Sequence, residues 1–352
     1  MKFLTWIFFL CVSISLYAQE DTITNDITCH CIRNLTPAGV MISHVHPKKE
    51  WMLSYRFSQM NMGAPIQNGT TISKTDVYNQ YLMYTPSMQM NMHMLMGMVG
   101  ITDRWTVMGM LHYMQNSMPM EMMTNQDHSS HSHSHGDNHS SMDMHTSGLG
   151  DTKLYAMYGL IKSDRHQLVF SNGISLPTGN YKVTGITSDM LYEGKRYPYM
   201  MQLGSGSWEY LPNITYVYQK SKWATSVQTS GVIRLNDNKL GYRLGNEWNT
   251  NAWFGYNWLD QVGSTLRIES SISEQIQGKD TQLYAYNELG ANPANYGGTR
   301  ILAFLGSSYE LDFSFLSGCR IAFEYGIPLY QQLHGLQNKS ANTWHASLNY
   351  SF

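Results

Sequence analysis

The stretch Met88-Gln89-Met90-Asn91-Met92-His93-Met94-Leu95-Met96-Gly97-Met98 carries methionine at every second position, six times in succession. Successive side chains of a β-strand point to opposite faces, so a period of two predicts a strand with all six thioethers on one face. Methionine is usually a sparse filler in protein cores, and its soft sulfur is also a ligand for Cu(I). The run therefore predicts a β-rich fold and raises the question of metal binding.

Twelve stretches from residue 51 onward have the features of β-strands, namely alternation, aromatic or β-branched residues and flanking turn residues. They span residues 51–60, 88–101, 104–115, 151–162, 166–176, 208–220, 222–234, 241–257, 263–277, 299–311, 319–331 and 342–352. Short turns between them alternate with longer loops at 61–87, 116–150, 177–207, 278–298 and 332–341; only 235–240 is short where a long loop is due. Bacterial outer-membrane barrels have this pattern, with short periplasmic turns and longer external loops.

The composition also favours a sheet that faces lipid. Charged residues make up 14% of the chain, while Tyr (24), Trp (9) and Gly (29) are abundant; a soluble domain has about 25% charged residues. The last strand ends on Phe352, which resembles the C-terminal signal of barrels inserted by the barrel-assembly machinery. A soluble β-sandwich needs neither this aromatic end nor the loop asymmetry. We predict an all-β fold: a transmembrane antiparallel β-barrel of about twelve strands, surrounded by the lipid of the bacterial outer membrane.

Other classes of protein are disfavoured. After the first residues there is no apolar stretch long enough for a membrane helix. The 23 basic and 25 acidic residues give no electrostatic reason to expect nucleic acid. An outer-membrane hydrolase with a Ser and a His on one strand is also disfavoured, because His166 and Ser171 are five residues apart and face opposite sides of the sheet. We predict that the protein is not an enzyme.

The N-terminal residues are predicted to form two segments ahead of the barrel. Residues 1–18 have the basic start, apolar run and small final residue of a signal peptide. Residues 19–50 are expected to be periplasmic or tucked into the barrel mouth, where a periplasmic partner could bind them, and the barrel itself spans 51–352. Cys29, His30 and Cys31 could hold Cu(I) or Zn(II), but a disulfide or two inert thiols fit the sequence equally well.

The most unusual predicted loop spans residues 116–147 and is rich in methionine and histidine. Its candidate ligands are Met118, Met120, Met122, Met123, His128, His131, His133, His135, His139, Met142, Met144 and His145. Imidazole suits Zn(II), Cu(II) and Ni(II), while thioethers suit Cu(I). Because methionine is almost its only apolar residue, the loop is not expected to form a packed core. It is predicted to be an external metal-capturing loop, with a polar surface loop as the alternative.

The methionine run can face either the lumen or the lipid. In the flanking strands the aromatic and aliphatic residues alternate with methionine, which places the methionines of those strands inside a barrel. The predicted inner wall and its neighbouring candidate ligands are Met52, Met60, Met62, Met108, Met110, His112 and Met114, joined by Met88, Met90, Met92, Met94, Met96 and Met98 if their strand also points inward. We favour the inward orientation; the outward one would instead place Gln89, Asn91 and His93 in a wet lumen.

Several motifs resemble known outer-membrane proteins. Pro37-Ala38-Gly39-Val40-Met41, Glu50-Trp51-Met52-Leu53 and Thr102-Asp103-Arg104-Trp105 resemble a group of methionine-rich members of this class. Gly148-Leu149-Gly150-Asp151 and Leu176-Pro177-Thr178-Gly179 are similar to the barrel family named for the MetA pathway of phenol degradation, usually labelled transporters. This resemblance covers residues 37 to 180 and implies an outer-membrane barrel. The Met and His tracts are also similar in style to copper-resistance outer-membrane proteins, in composition only.

These observations lead to one functional prediction and two alternatives. The leading hypothesis is a barrel that binds, and transports or sequesters, copper or a similar soft or borderline metal. No cofactor is required; Cu(I) or Cu(II) would be bound as cargo, with Zn(II) or Ni(II) as second choices. One alternative is a channel for small hydrophobic or aromatic compounds, in which methionine lines an apolar passage. The other is a surface protein that sequesters metal and transports nothing.

Overall fold

The fold is a closed barrel of twelve antiparallel strands, as predicted. The computed structural model describes residues 35–123, 139–185, 194–311 and 318–352. The barrel strands are β1 Trp51–Gln67, β2 Met88–Gly100, β3 Trp105–Met123, β4 in two parts (β4a His139–Leu149 and β4b Thr152–Lys162), β5 His166–Leu176, β6 Glu209–Lys220, β7 Trp223–Arg234, β8 Glu247–Asn257, β9 Val262–Ser273, β10 Gly298–Leu311, β11 Cys319–Leu333 and β12 Leu336–Ser351. Each strand pairs with the next, and β12 pairs with β1 to close the sheet.

Alternating exposure along the strands separates an outer from an inner face. In β2, Leu95 is 54% exposed while its neighbours Met94 and Met96 are 6% and 1% exposed. The outer face carries large apolar residues such as Trp51, Leu53, Trp105 and Val107, as expected for a barrel that meets lipid. Within the described residues, none of the helices has the length and apolar character needed to cross a membrane.

The two ends of the barrel differ in their connections. Trp51 and Phe352 exchange two backbone hydrogen bonds of 2.9 Å, so the first and last strands meet at one end. The short turns after β2, β4b, β6 and β8 lie at this same end, which is therefore the periplasmic one by the usual arrangement of such barrels. The longer loops lie at the opposite, external end.

The external ends of several strands extend beyond their predicted limits. Residues 116–123 and 139–147, predicted as parts of one loop, form a paired hairpin in β3 and β4a, with Met118 opposite Met144. The predicted loop 332–341 is a two-residue turn, so β11 and β12 are also longer than predicted. By contrast, β8 is shorter than predicted, because it begins at Glu247 rather than at residue 241. The prediction of a loop at 116–147 was wrong for its two flanks, because paired backbone and inward-facing methionines give them a packed structure.

Short elements within the external loops fold over the barrel. They are the two-residue strands Thr70–Thr71, Met83–Tyr84, Tyr242–Arg243 and Gln277–Gly278, the helix α1 Lys74–Tyr78 and the 3-10 helices Tyr199–Met201, Leu289–Ala291 and Pro293–Asn295. The Ser73 hydroxyl caps α1 by accepting from the Asp76 amide at 3.1 Å. Leu82 and Met83 donate backbone hydrogen bonds to Tyr286 and Asn287, which ties two of these loops together.

Residues 35–48, which we call the strap, lie inside the barrel rather than below it. The Thr215 hydroxyl of β6 donates to the Ile42 carbonyl at 3.0 Å, and the His46 amide donates to the Thr106 hydroxyl of β3 at 2.8 Å. The strap leaves the lumen at the periplasmic end, where the Lys49 amide donates to the Gly100 carbonyl at 2.8 Å. The sequence predicts that residues 19–50 are periplasmic or lie in the barrel mouth. Within that segment, the strap runs further in, through the periplasmic half of the lumen.

Candidate functional site

Methionine dominates the inner wall on strands β1 to β4, and this surface is the candidate functional site. The methionines of β2 face inward, which confirms the orientation favoured from the sequence. Register places Met98 opposite Met52 on one side and Met108 on the other. Directly opposed residues in a sheet have Cβ atoms about 5 Å apart, so these thioethers lie side by side across three strands.

The inward methionines form two clusters. The lower cluster, in the periplasmic half, buries Ile42, Val45, Met52, Met94, Met96, Met98, Met108, Met110, Met157 and Val169, with Met41, Met92 and Tyr155 packed against it. The upper cluster, in the external half, buries Met83, Met88, Met118, Met120, Met144, Tyr197 and Met201, with Met62, Met90, Met122, Met142, Val183 and Met200 packed against it. Strand β2 contributes to both, with Met92 packed against the lower cluster and Met90 against the upper one.

The upper cluster is covered by the loop between β5 and β6, and Asp151 anchors that loop. Its carboxylate accepts from the Gly179 amide at 2.8 Å, the Ser205 amide at 2.8 Å and the Ser205 hydroxyl at 2.7 Å. Gly179 packs directly on Gly204, where a Cβ on Gly179 would come within 2.8 Å of the Gly204 Cα. Asp151 and Gly179 belong to the two motifs that resemble the phenol-degradation family, so these motifs have a structural role that the sequence did not reveal.

The external loops that fold over the barrel are held together by buried polar contacts. The Arg196 guanidinium donates to the Asp280 carboxylate at 3.1 Å, and the Tyr199 hydroxyl accepts from the Asp280 amide at 2.9 Å. The Tyr296 hydroxyl donates to the Gly290 carbonyl at 2.7 Å. Burial, and to a smaller extent Glu288, raises the pKa of Tyr296 well above its ordinary value, so this phenol stays protonated and available as a donor.

The inner wall on strands β6 to β12 is polar, in contrast to the methionine surface. Its centre is Arg267, which is fully buried and donates to Glu324 at 3.1 Å and to Asn251 at 2.8 Å. The guanidinium carbon also lies 3.7 Å from the centroid of the Phe304 ring. A buried charge is tolerated only when it is paired and hydrogen-bonded, and Arg267 satisfies both conditions.

Polar side chains of the wall hold the strap mainly through its backbone. The Gln228 amide donates to the Met41 carbonyl at 2.7 Å, the Arg320 guanidinium to the Thr36 carbonyl at 2.6 Å and the Arg56 guanidinium to the Val40 carbonyl at 2.8 Å. Gly39 allows the close approach, because a Cβ there would come within 2.3 Å of an Arg267 nitrogen. Sequence reasoning missed Arg267, Arg320 and Glu324; the only available signal was a charged residue at an inward position of a predicted strand.

The structure places the remaining predicted ligands in different locations. His112 is buried inside the barrel, and Met60 and Met114 are half-buried on the inner-facing side of their strands. His145 instead points outward into a polar groove of about 330 Å³ that it lines with Gln89, Asn91 and Gln115. Its neighbour Met144 points inward, so the predicted capture set does not lie on one surface.

Several candidate ligands lie outside the described part of the chain. These are Cys29, His30, Cys31, His128, His131, His133 and His135, while Met123 and His139 lie in strands whose side chains at these positions are not described. In the residues that are described, no three His, Cys, Asp or Glu side chains are grouped to hold a metal ion. Cys319 is a buried free thiol at the start of β11.

Residues 96–295 match the family described as the putative MetA-pathway of phenol degradation. The chain belongs to this family. Among solved structures, a COG4313 outer-membrane channel from Pseudomonas putida F1 has a TM-score of 0.57 at 12% identity, over 88% of this chain and 97% of that one. A Pseudomonas aeruginosa FadL homologue has a TM-score of 0.42 at 10% identity, over 86% and 90% of the two chains. No curated protein matches the sequence. The first structural likeness supports the outer-membrane barrel fold.

Proposed function

We propose that this family member is an outer-membrane channel for small apolar compounds, with monocyclic aromatic molecules as the expected class. The observation that carries the proposal is the pair of methionine clusters in the two halves of the lumen, to both of which β2 contributes inward-facing methionines. An apolar solute can exchange contacts along such a surface without losing hydrogen bonds. Ligand passages of this kind are lined mainly by apolar side chains with a few polar groups. The description of the family as a phenol-degradation pathway supports the same class of solute.

The sequence alone favours metal handling over the passage of apolar compounds, and the packing inside the barrel favours the reverse. The described residues provide thioethers but no group of charged or imidazole ligands around a common point. Methionine also suits an apolar passage, because its unbranched side chain adapts to irregular shapes. Passage requires both the strap and the loop between β5 and β6 to move, since both pack against the methionine clusters. We call this second segment the cap loop.

Uptake of labelled toluene by a Gram-negative host with an intact outer membrane tests this proposal. Cells that make the wild-type barrel should take up toluene faster than cells that make none. The double variant Met96→Asp, Met110→Asp should reduce uptake to background, because two carboxylates would interrupt the lower cluster. The matched variant Met96→Leu, Met110→Leu keeps the surface apolar and should retain uptake. Equal uptake with and without the barrel would contradict the proposal, provided that heat-modifiable migration in gels shows a folded barrel.

Copper is a second candidate cargo because methionine, rather than leucine, occupies the inward positions of β2 from Met88 to Met98. In β2 the outward face uses Leu95 and Val99, whereas every inward position from Met88 to Met98 is methionine. Leucine would pack about as well in an apolar wall, but only methionine offers a soft ligand for Cu(I). The upper cluster, with six buried methionines, is the expected binding region for such an ion.

One triple variant separates the two candidates. Met118→Leu, Met120→Leu and Met144→Leu removes three of the six buried thioethers of the upper cluster and preserves its apolar character. If copper is cargo, anaerobic competition with a Cu(I) chelator should show a loss of bound Cu(I), while toluene uptake stays well above background. Retention of all bound Cu(I) would exclude these three thioethers as its ligands. Replacement of residues 124–138 by Asn-Gly then tests His128, His131, His133 and His135, because a two-residue turn can join the paired strands on either side.

A further inference from the structure

A small cavity in the periplasmic half of the lumen lies between the strap and both kinds of wall. Its volume is about 60 Å³, which is the share of about two water molecules in the liquid. Met52, Met96 and Met98 form its apolar side. Its polar side includes Ser54, Asn349, Arg56 and Arg320. The cavity therefore offers an apolar surface beside two guanidinium groups.

Arg56 is the unusual member of this cavity. It is only 5% exposed, and one of its terminal nitrogens donates to the Val40 carbonyl at 2.8 Å. The other terminal nitrogen and Nε are buried without a hydrogen-bond partner. By contrast, the equally buried Arg267 has carboxylate partners in Glu324 and Glu269. A buried cation with unused donors is costly, so the site is incomplete as it stands.

The charges around the cavity favour an anion as the missing partner. Two guanidinium groups, Arg56 and Arg320, line it together with one carboxylate, Glu310. The nearby carboxylate of Glu324 already accepts from Arg267 and from the Gly39 amide of the strap. The cavity thus has one positive charge in excess, and Arg56 has two donor nitrogens without a partner.

We propose that this cavity binds the carboxylate of a small organic acid of about the size of acetate. Arg56 donates to the carboxylate oxygens, since guanidinium groups form strong charge-assisted hydrogen bonds with carboxylates. The hydrocarbon part of the acid lies against Met52, Met96 and Met98. Binding requires no transport, so this site stands whether or not the barrel carries apolar compounds.

Equilibrium dialysis of the full-length protein in detergent with labelled acetate, in a chloride buffer, tests the proposal. Wild-type protein should bind acetate saturably at about one molecule per chain. Arg56→Gln should weaken binding by roughly tenfold or more, since it removes a charged donor. Arg300→Gln is the matched control, because it removes a lumen-facing guanidinium of β10 that hydrogen-bonds Gln337 and does not line the cavity, and it should bind as wild type does.

Three results would overturn the proposal. The first is the absence of saturable binding to wild-type protein, and the second is unchanged affinity in Arg56→Gln. The third is that chloride displaces acetate as effectively as formate does, which would indicate a general anion site. If Arg56→Gln does not fold, Arg56→Lys replaces it. That variant keeps the charge but shortens the set of donors, so affinity should fall several-fold, and an unchanged affinity would again count against the carboxylate site.

Discussion

The two halves of the inner wall position their neighbours by different physical means. On strands β6 to β12, polar side chains hold the strap through specific hydrogen bonds, such as that from Gln228 to the Met41 carbonyl. On strands β1 to β4, the methionines contact the strap and the loop between β5 and β6 through apolar packing, and only Arg56 and Thr106 of these strands are described as hydrogen-bonded to the strap backbone. Directional contacts fix one arrangement, whereas apolar packing between flexible thioethers tolerates several. We infer that the polar side chains, most of them on β6 to β12, determine where the strap lies, and that the methionines allow it to move.

The largest expected effect comes from breaking the charged centre of the polar half. Arg267→Met should lower the free energy of unfolding by about 3–5 kcal/mol, because it leaves Glu324 buried without its cation. Urea unfolding in lipid vesicles measures this value. Met110→Leu is the control on the opposite wall, where a change of similar volume should cost less than about 1.5 kcal/mol. Similar losses in the two variants would remove the distinction between the halves.

A somewhat smaller effect is expected at the anchor of the cap loop. Asp151→Ala removes the acceptor of three hydrogen bonds to Gly179 and Ser205 and should cost about 3 kcal/mol. The loop between β5 and β6 should then be cut faster by trypsin after Lys182 and Lys195, which limited proteolysis with mass spectrometry detects. Asp143→Asn, at an exposed position of β4a, should leave the cleavage rate unchanged. An unchanged rate in Asp151→Ala would mean that the apolar packing of the loop alone holds it down.

The barrel was predictable from the sequence, whereas the division of its lumen was only partly so. Alternation identified all twelve strands, because a wall between lipid and lumen imposes a period of two. It failed at 116–123 and 139–147, where the outer face carries polar residues such as Ser117 and His145, so that the contrast between faces is lost. The strap has no strand-like periodicity, and most of its described polar contacts to the wall are made by its backbone. Its partners Arg56, Gln228 and Arg320 lie far apart in the chain, and only the closed barrel brings them together.

A weaker perturbation of the polar half should loosen the strap without unfolding the barrel. Gln228→Ala removes hydrogen bonds to the Met41 and Ile42 carbonyls, at a cost of about 1–2 kcal/mol. Peptides that cover residues 38–46 should exchange their amide hydrogens faster, and single-channel current through planar bilayers should increase. Gln331→Ala, in the external part of β11, serves as the comparison and should change neither quantity. Unchanged exchange in Gln228→Ala would assign the position of the strap to apolar packing instead.

The smallest effect is expected in the methionine half, and it bears most directly on function. Met94→Leu, Met96→Leu and Met98→Leu should each change the free energy of unfolding by less than about 1.5 kcal/mol, because leucine has a similar volume and polarity. Leucine branches at Cγ and is less flexible than methionine, so the combined variant should carry toluene more slowly while it remains folded. The ratio of its uptake rate to that of wild type measures the contribution of side-chain flexibility. Equal rates would show that the wall needs only apolar character, and the preference for methionine over leucine would then have to come from its sulfur.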